Sequence, residues 1–360
     1  MQTPSEVVGL YPDVGGASGS SLRVRRDVWG SREDGPTRSG EALAYGPACP
    51  VRGPGVTGVR NGLPLRMAGE VAQALAAGAP VVALETSIVA QGLPPPQNLE
   101  AALGCEAAVR AAGAVPATVA VLDGELRLGL ARPELERLAT PDPAVSKLSS
   151  RDLGPALAAG ATGATTVAGT VRAAALTGVA WMATGGIGGV HRGHPEDVSA
   201  DLFELARSPV AVVCSGPKMV LDVGATLQAL ESLCVPVLGY GCDECPAFYT
   251  AASGLPVSAR VDGPEEAARA AAATWAAGGA GLVVAVPPPQ ELAGAVGLVE
   301  QALAEAPDAA GPAGTPLLLS RIRDLSGGRS VEVNVELVVN NAAAAARCAV
   351  AWADGGATRS

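Results

Sequence analysis

The chain has 360 residues, 48% of them hydrophobic, and a mean hydropathy of +0.29, which is apolar material for one large core or two ordinary domains and excludes disorder throughout. A net charge of −10 and a pI near 4.8 exclude a nucleic-acid surface, since a polyanion needs a basic stripe, and leave a small-molecule partner as the expectation. No apolar stretch reaches the roughly 18 to 20 residues of a membrane span and the N-terminus lacks the apolar core of a secretory signal, so no membrane partner is expected and the cytosol is the default location.

Residues 1–64 mix Gly, Ser, Pro and Arg with few periodic apolar positions and are expected to be a disordered extension or a misassigned start, with Met67 as an alternative beginning. From Glu70 the pattern changes to apolar strands alternating with Ala-rich helical stretches. The expected strands are 80–88, 117–122, 179–183, 210–214, 236–239 and 281–286; helices fit over 99–112 and 264–277. Alternation of this kind predicts a three-layer α/β/α fold on a mostly parallel central sheet, occupying residues 65–354, with ligands at the carboxyl ends of the strands. After a Pro/Gly/Ala loop around 306–315, helices over 316–325 and 331–352 close the chain. No internal repeat is present.

Several positions can carry chemistry. Glu85 ends an apolar run, which suits a buried general acid. The turn at 91–98 leads into a helix that Asn98 is placed to cap. Residues 184–193 form a glycine-rich turn after a strand, a backbone able to present N–H groups to an anion, without the spacing of a dinucleotide or P-loop motif. The only two histidines, His191 and His194, lie here without a cysteine or a third histidine nearby, which argues against zinc. Asp197 and Asp201 stand four apart, and oxygen ligands alone would favour a hard cation. Cys242 and Cys245 have metal or redox spacing but no second pair; seven cysteines, an odd number, fit a reducing compartment better than a disulfide framework.

The composition sharpens one choice. Of 25 basic residues only Lys147 and Lys218 are lysines, and arginine cannot form a Schiff base whereas a buried amine can. Lys218 follows a buried strand and the turn 215–217, and is expected to open a helix whose dipole, with an apolar surround, would favour the neutral amine.

In order along residues 65–352 stand VALE (82–85), GLPPPQN (92–98), VPAT (115–118), the segment 147–152, ATTVA (164–168), GGIGGVHRG (185–193), SADL (199–202), VVCSGPK (212–218), GYG (239–241), PAFY (246–249), Asn334 and the pair Asn340 and Asn341. With these motifs the sequence resembles the pseudouridine-5'-phosphate glycosidase family, also called indigoidine-synthase-A-like. The resemblance implies Glu85 as proton donor, Lys218 as nucleophile, and Asp197 as the ligand of a mostly water-coordinated Mn2+ ion. It implies substrate contacts at Lys147, Val167, Ser199, Ala200 and Asp201, an active-site asparagine at Asn334, and a homotrimer. The segment between His191 and Asp197 is two residues shorter than the family pattern, and Gln91 stands where a histidine is usual. The implied activity is reversible cleavage of pseudouridine 5'-phosphate to uracil and ribose 5-phosphate. A carbon-linked base offers no leaving nitrogen or oxygen to protonate, so an electron sink such as a lysine iminium is required. Lys147, with the loop at His191 and Arg192, is expected to hold the phosphate. From the residues alone, a non-catalytic nucleotide-binding domain and a Schiff-base sugar-phosphate lyase remain alternatives.

Overall fold

The computed structural model describes residues 62–306, 309, 311 and 314–357; the extension expected over 1–64 lies, up to residue 61, outside the described residues. An 11-stranded sheet organises the rest. Its main path runs Leu65–Met67, Glu125–Leu128, Val115–Leu122, Val81–Leu84, Trp181–Ala183, Ala211–Cys214, Leu282–Ala285, Val237–Tyr240 and Ala259–Val261. From Val115–Leu122 to Ala259–Val261 every pairing is parallel. The antiparallel pairings are confined to one edge, where Val115–Leu122 meets Glu125–Leu128 and Gly163–Thr165.

Side chains alternate across a strand, and here both faces are apolar. Val82, Leu84, Ala211, Val213, Leu282 and Val284 belong to one core, whereas Val81, Ala83, Val212, Cys214, Val283 and Ala285 belong to the other. The first core is covered by the 29-residue helix Arg329–Ala357 together with Gln97–Ala111 and Pro264–Ala276. Ala342, Ala344, Ala345 and Ala346 are all fully buried; their small side chains favour the helix and let its backbone lie close to the sheet. The second core is covered by Gly69–Ala76, Val167–Thr177 and Ala200–Leu205, completing three layers.

The parallel register sets the ends of the central strands side by side. Leu84 pairs with Ala183, and Val213 pairs with Ala183 in turn. Glu85, Thr184 and the turn from Ser215 to Lys218 therefore emerge at one carboxyl edge, where an α/β sheet places its ligands. The expected strand over 80–88 stops at Leu84. Beyond it the Thr86 hydroxyl donates to the Val119 carbonyl (2.7 Å) and its amide to Thr165 (3.3 Å), which draws the chain out of the ladder into a π-turn, Ile88–Gly92. Asn98 does not cap the following helix, whose N-cap is Pro96. Its Nδ2 donates to the carbonyls of Val89 and Ala139, both at 2.8 Å, fastening the π-turn to the helix Arg132–Ala139.

Candidate active site

The backbone that carries Lys218 is built on the glycine turn. The amide of Ser215 donates to Gly185 O (2.8 Å), that of Ile187 to Gly216 O (3.1 Å) and that of Lys218 to Ile187 O (3.1 Å), so the two segments run as a short extended pair beyond the sheet. Gly216 sits at φ +79°, and a Cβ there would stand 1.9 Å from Pro246 O, a close approach that only glycine permits. The fully buried Asn341 locks this crossing from the long helix. Its Nδ2 donates to Thr184 O (3.0 Å), Gly185 O (3.3 Å) and Ser215 Oγ (3.1 Å).

Lys218 does not open a helix. After it the chain turns into a two-residue strand, Leu221–Asp222, that pairs with Val190–His191; the helix begins at Val223, with Asp222 accepting from the Ala225 amide at 2.9 Å. The expected helix dipole therefore does not act on the Lys218 amine. The Lys218 side chain is half-buried beside the glycine turn.

A cavity of about 60 Å³ is walled by Glu85, Gln91, Lys147, Lys218, Thr315 and Asn334 among others, and floored by Gly185, Gly186 and Phe248. Both lysines of the chain thus reach one place. Glu85 accepts hydrogen bonds from the hydroxyls of Ser87 and Thr184, one on each carboxylate oxygen, an arrangement that orients the group toward the cavity. Lys147 arrives from the edge strand Ser146–Leu148, with solvent on one side. The protein packed around the rest of it, and then the neighbouring Lys218 charge, lower its pKa from the ordinary lysine value; Glu85 and Asp201 oppose the shift.

The remaining residues singled out in the sequence surround this cavity without lining it. Asp201, 6% exposed, accepts from the amides of Ala168 (2.9 Å) and Gly188 (2.8 Å), tying the start of the helix Val167–Thr177 to the glycine turn. Val167 is the first residue of that helix, with its side chain in the second core. Ser199 caps Ala200–Leu205 and accepts from the Asp201 amide at 3.2 Å, and Ala200 is the first residue of that helix. His191 binds the Asp197 carboxylate through Nδ1 and faces Thr315 Oγ1 through Nε2 at 3.4 Å, so these two stand one layer behind Thr315. The shortened segment between them closes as a hairpin, His191 pairing with His194 across Arg192 and Gly193, the latter at φ +75°.

Two expectations about anion binding change. The amides of Ile187, Gly188 and Val190 donate to Gly216, Asp201 and Thr226 Oγ1, so much of the turn's backbone serves the protein instead of a phosphate. The glycines serve close packing: a Cβ at Gly186 would lie 2.5 Å from the Phe248 ring and one at Gly189 2.2 Å from Thr226 Oγ1. The guanidinium of Arg192 donates to the carbonyls of Met219 and Leu221, both at 3.0 Å, and so braces the segment after Lys218. Lys147 and Lys218 are left as the cations of the cavity.

Among the described residues no group of three or more His, Cys, Asp or Glu side chains comes together to hold a metal. Asp197 Oδ2 accepts from both His191 Nδ1 and the Gly311 amide, the latter at 2.6 Å. Burial pushes its carboxyl up, but the Gly311 amide and the His191 ring outweigh this and hold it below the usual range. Asp197 is thus an ionised carboxylate, the residue that would hold a hard divalent cation if one were bound.

Sequence reasoning did not assign roles to Ser87, Thr184, Asn341 or Phe248, although all four lie in or beside the motifs. For Thr184, Asn341 and Phe248 the signal is tertiary, each acting on a segment distant in the chain, as Asn341 does on Ser215, 126 residues away; Ser87 acts locally, on Glu85 two residues before it.

The model of the family described as indigoidine synthase A like protein matches residues 70–351. The chain belongs to this family. It is 47% identical over 298 residues to the pseudouridine-5'-phosphate glycosidase of Myxococcus xanthus, covering 80% of this chain and 98% of that protein. It is 51% identical over 296 residues to the one from Herpetosiphon aurantiacus, covering 80% and 97%. Among solved structures, the prealnumycin C-glycosynthase AlnA in complex with ribulose 5-phosphate matches with a TM-score of 0.76 and 36% identity, over 83% of this chain and 99% of that one. An indigoidine synthase A-like protein from Thermotoga maritima matches with a TM-score of 0.73 and 30% identity, over 80% and 96%.

Proposed function

We propose that this chain is a pseudouridine-5'-phosphate glycosidase, cleaving the carbon–carbon bond between uracil and ribose 5-phosphate through a Schiff base on Lys218. The observation that carries this reading is the convergence of Glu85, Lys147 and Lys218 on one cavity at the carboxyl edge of the sheet, in a chain about half identical to proteins of that activity. The structural relative that holds ribulose 5-phosphate supports it further. That sugar phosphate cannot close a furanose ring, which supports an open-chain pentose phosphate as the form bound in the proposed reaction.

In the proposed sequence the C1'–O4' bond breaks, O4' leaves as a hydroxyl with a proton from Glu85, and the Lys218 nitrogen bonds to C1'. The nitrogen lone pair then forms the iminium as the bond from C1' to uracil C5 breaks and C5 takes a proton. Water hydrolyses the iminium, releasing ribose 5-phosphate and the free amine. Lys147 supplies positive charge to the phosphate, and Asn334 presents a polar group from the long helix. Asp201, Ser199, Ala200 and Val167 act by holding the glycine turn that frames the cavity. His191 and Asp197 support Thr315 from behind; a manganese ion at Asp197 would add positive charge for substrate oxygens. The family resemblance further supports a homotrimer working in the cytoplasm; among the described residues no helix is long and apolar enough to cross a membrane. Replacing Glu85 by Gln removes the proton donor and is expected to lower kcat for uracil release by at least about 100-fold. A variant with unchanged kcat would contradict that assignment.

A further inference from the structure

The cavity shares the walls Gln91, Gly92, Pro316, Leu319 and Asn334 with a second hollow of about 230 Å³ that lies outside it. Gln91 stands on the boundary, at the end of the π-turn. Its Nε2 donates to the Val145 carbonyl at 3.1 Å, two residues before Lys147. A carbonyl can only accept, so this bond fixes which end of the carboxamide is which. The opposite end, Oε1, is buried and has no hydrogen-bond partner in the protein. A buried acceptor left unpaired is destabilising, and on a residue that lines a ligand cavity it calls for a donor on the ligand. Asn334 Oδ1, on a residue 6% exposed, is a second acceptor of the same kind on the same boundary.

The chemistry of the ligand's parts sorts which of them fits. A phosphate carries acceptors and is matched by Lys147 in the first cavity, where Lys218 meets C1'. The second hollow is faced by Pro94, Tyr249, Leu319 and Val331 and also by Ser320, Arg323 and Ser330, a mixture of flat apolar surface and polar groups suited to a planar ring that carries carbonyls and N–H groups, with the Tyr249 ring held edge-on to Phe248 at 4.7 Å. A uracil linked through carbon keeps both ring N–H groups, whereas one linked through nitrogen keeps a single N–H. We propose that Gln91 is a specificity-determining residue that accepts a hydrogen bond from a ring N–H of the base, at the boundary between the lysine cavity and the second hollow, and that where this N–H is the one an N-linked base lacks, the bond also selects carbon linkage. The proposal rests on the glycosidase reading above.

Inhibition by uracil, 1-methyluracil and 3-methyluracil, measured on the wild type and on Gln91→Leu, tests it. On the wild type, methylation of one of the two nitrogens weakens inhibition about 10- to 100-fold, the loss of one buried hydrogen bond. Gln91→Leu loses a similar factor for uracil and no longer distinguishes uracil from that methylated base. Gln91→Met, closer in shape, serves if Gln91→Leu does not fold. Equal inhibition of the wild type by all three bases, or a variant that discriminates as the wild type does, overturns the proposal. Trapping of ribose 5-phosphate by borohydride involves no base and reports on the lysine chemistry separately. An adduct together with unchanged discrimination removes only the role of Gln91, whereas no adduct on the wild type removes the glycosidase reading and the base site with it.

Discussion

At the Lys147 ammonium, close-packed protein and the nearby Lys218 charge favour the neutral amine, while Glu85 and Asp201 favour the charged one; the first two prevail. The sign has a functional consequence. A lowered pKa means that the positive charge facing the phosphate begins to fade at a lower pH than that of an ordinary lysine. The KM for pseudouridine 5'-phosphate is therefore expected to climb with pH before an ordinary lysine would begin to titrate. Lys147→Met should raise the KM far more than it lowers kcat and should flatten that climb; a steady-state pH profile with an unchanged KM would contradict the role. Lys218 was singled out in the sequence because arginine had replaced lysine almost everywhere else. That inference depends on side-chain chemistry, which sequence carries in full. Its supposed helix dipole depended on where a helix begins, and here a two-residue strand paired with Val190–His191 intervenes. Pairing with a segment 30 residues earlier leaves no local trace.

Among the elements, the crossing of the glycine turn with the segment that bears Lys218 is where geometry is tightest. Gly216→Ala would place a methyl group 1.9 Å from Pro246 O at a positive φ, so one of the two backbones must move. The expected result is a protein destabilised by about 1–3 kcal/mol in thermal or denaturant unfolding, with kcat reduced more than the KM is raised, because Lys218 shifts with its turn. Wild-type stability and activity would show that the crossing tolerates what its geometry forbids. The central strands were legible because they are buried on both faces and read as continuous apolar runs: 117–122 and 210–214 fall within a residue or two of Val115–Leu122 and Ala211–Cys214. The strand over 80–88 ran long because Thr86 and Ile88 look like strand residues, and only the bonds from Thr86 to Val119 and Thr165 take them out of the ladder. The hairpin of Val190–His191 with His194–Val198 was not legible, being polar and built on a two-residue turn. The same distinction divides the site. Glu85, Lys147, Lys218 and Asn334 were named from chemistry and resemblance, and they share the cavity. The turn at 184–193 was expected to present its amides to an anion, yet those of Ile187, Gly188 and Val190 already serve Gly216, Asp201 and Thr226, partners that sequence could not reveal.

For the molecule as a whole, the net charge of −10 sets a background that repels a doubly charged phosphate, so the two lysines at the carboxyl edge must create a local positive field. Raising the ionic strength screens both and should change the KM only modestly. The proposed trimer predicts a light-scattering mass close to three times that of the 35.5 kDa chain, independent of concentration in the micromolar range; a mass equal to one chain would remove it. The central claim is the covalent lysine, and mass spectrometry after incubation with ribose 5-phosphate and borohydride tests it most directly. The account predicts a reduced pentose phosphate adduct on the peptide containing Lys218, absent in Lys218→Ala and still formed on Lys218 in Lys147→Met at a higher sugar concentration. No adduct on the wild type, or one that persists in Lys218→Ala, would contradict it.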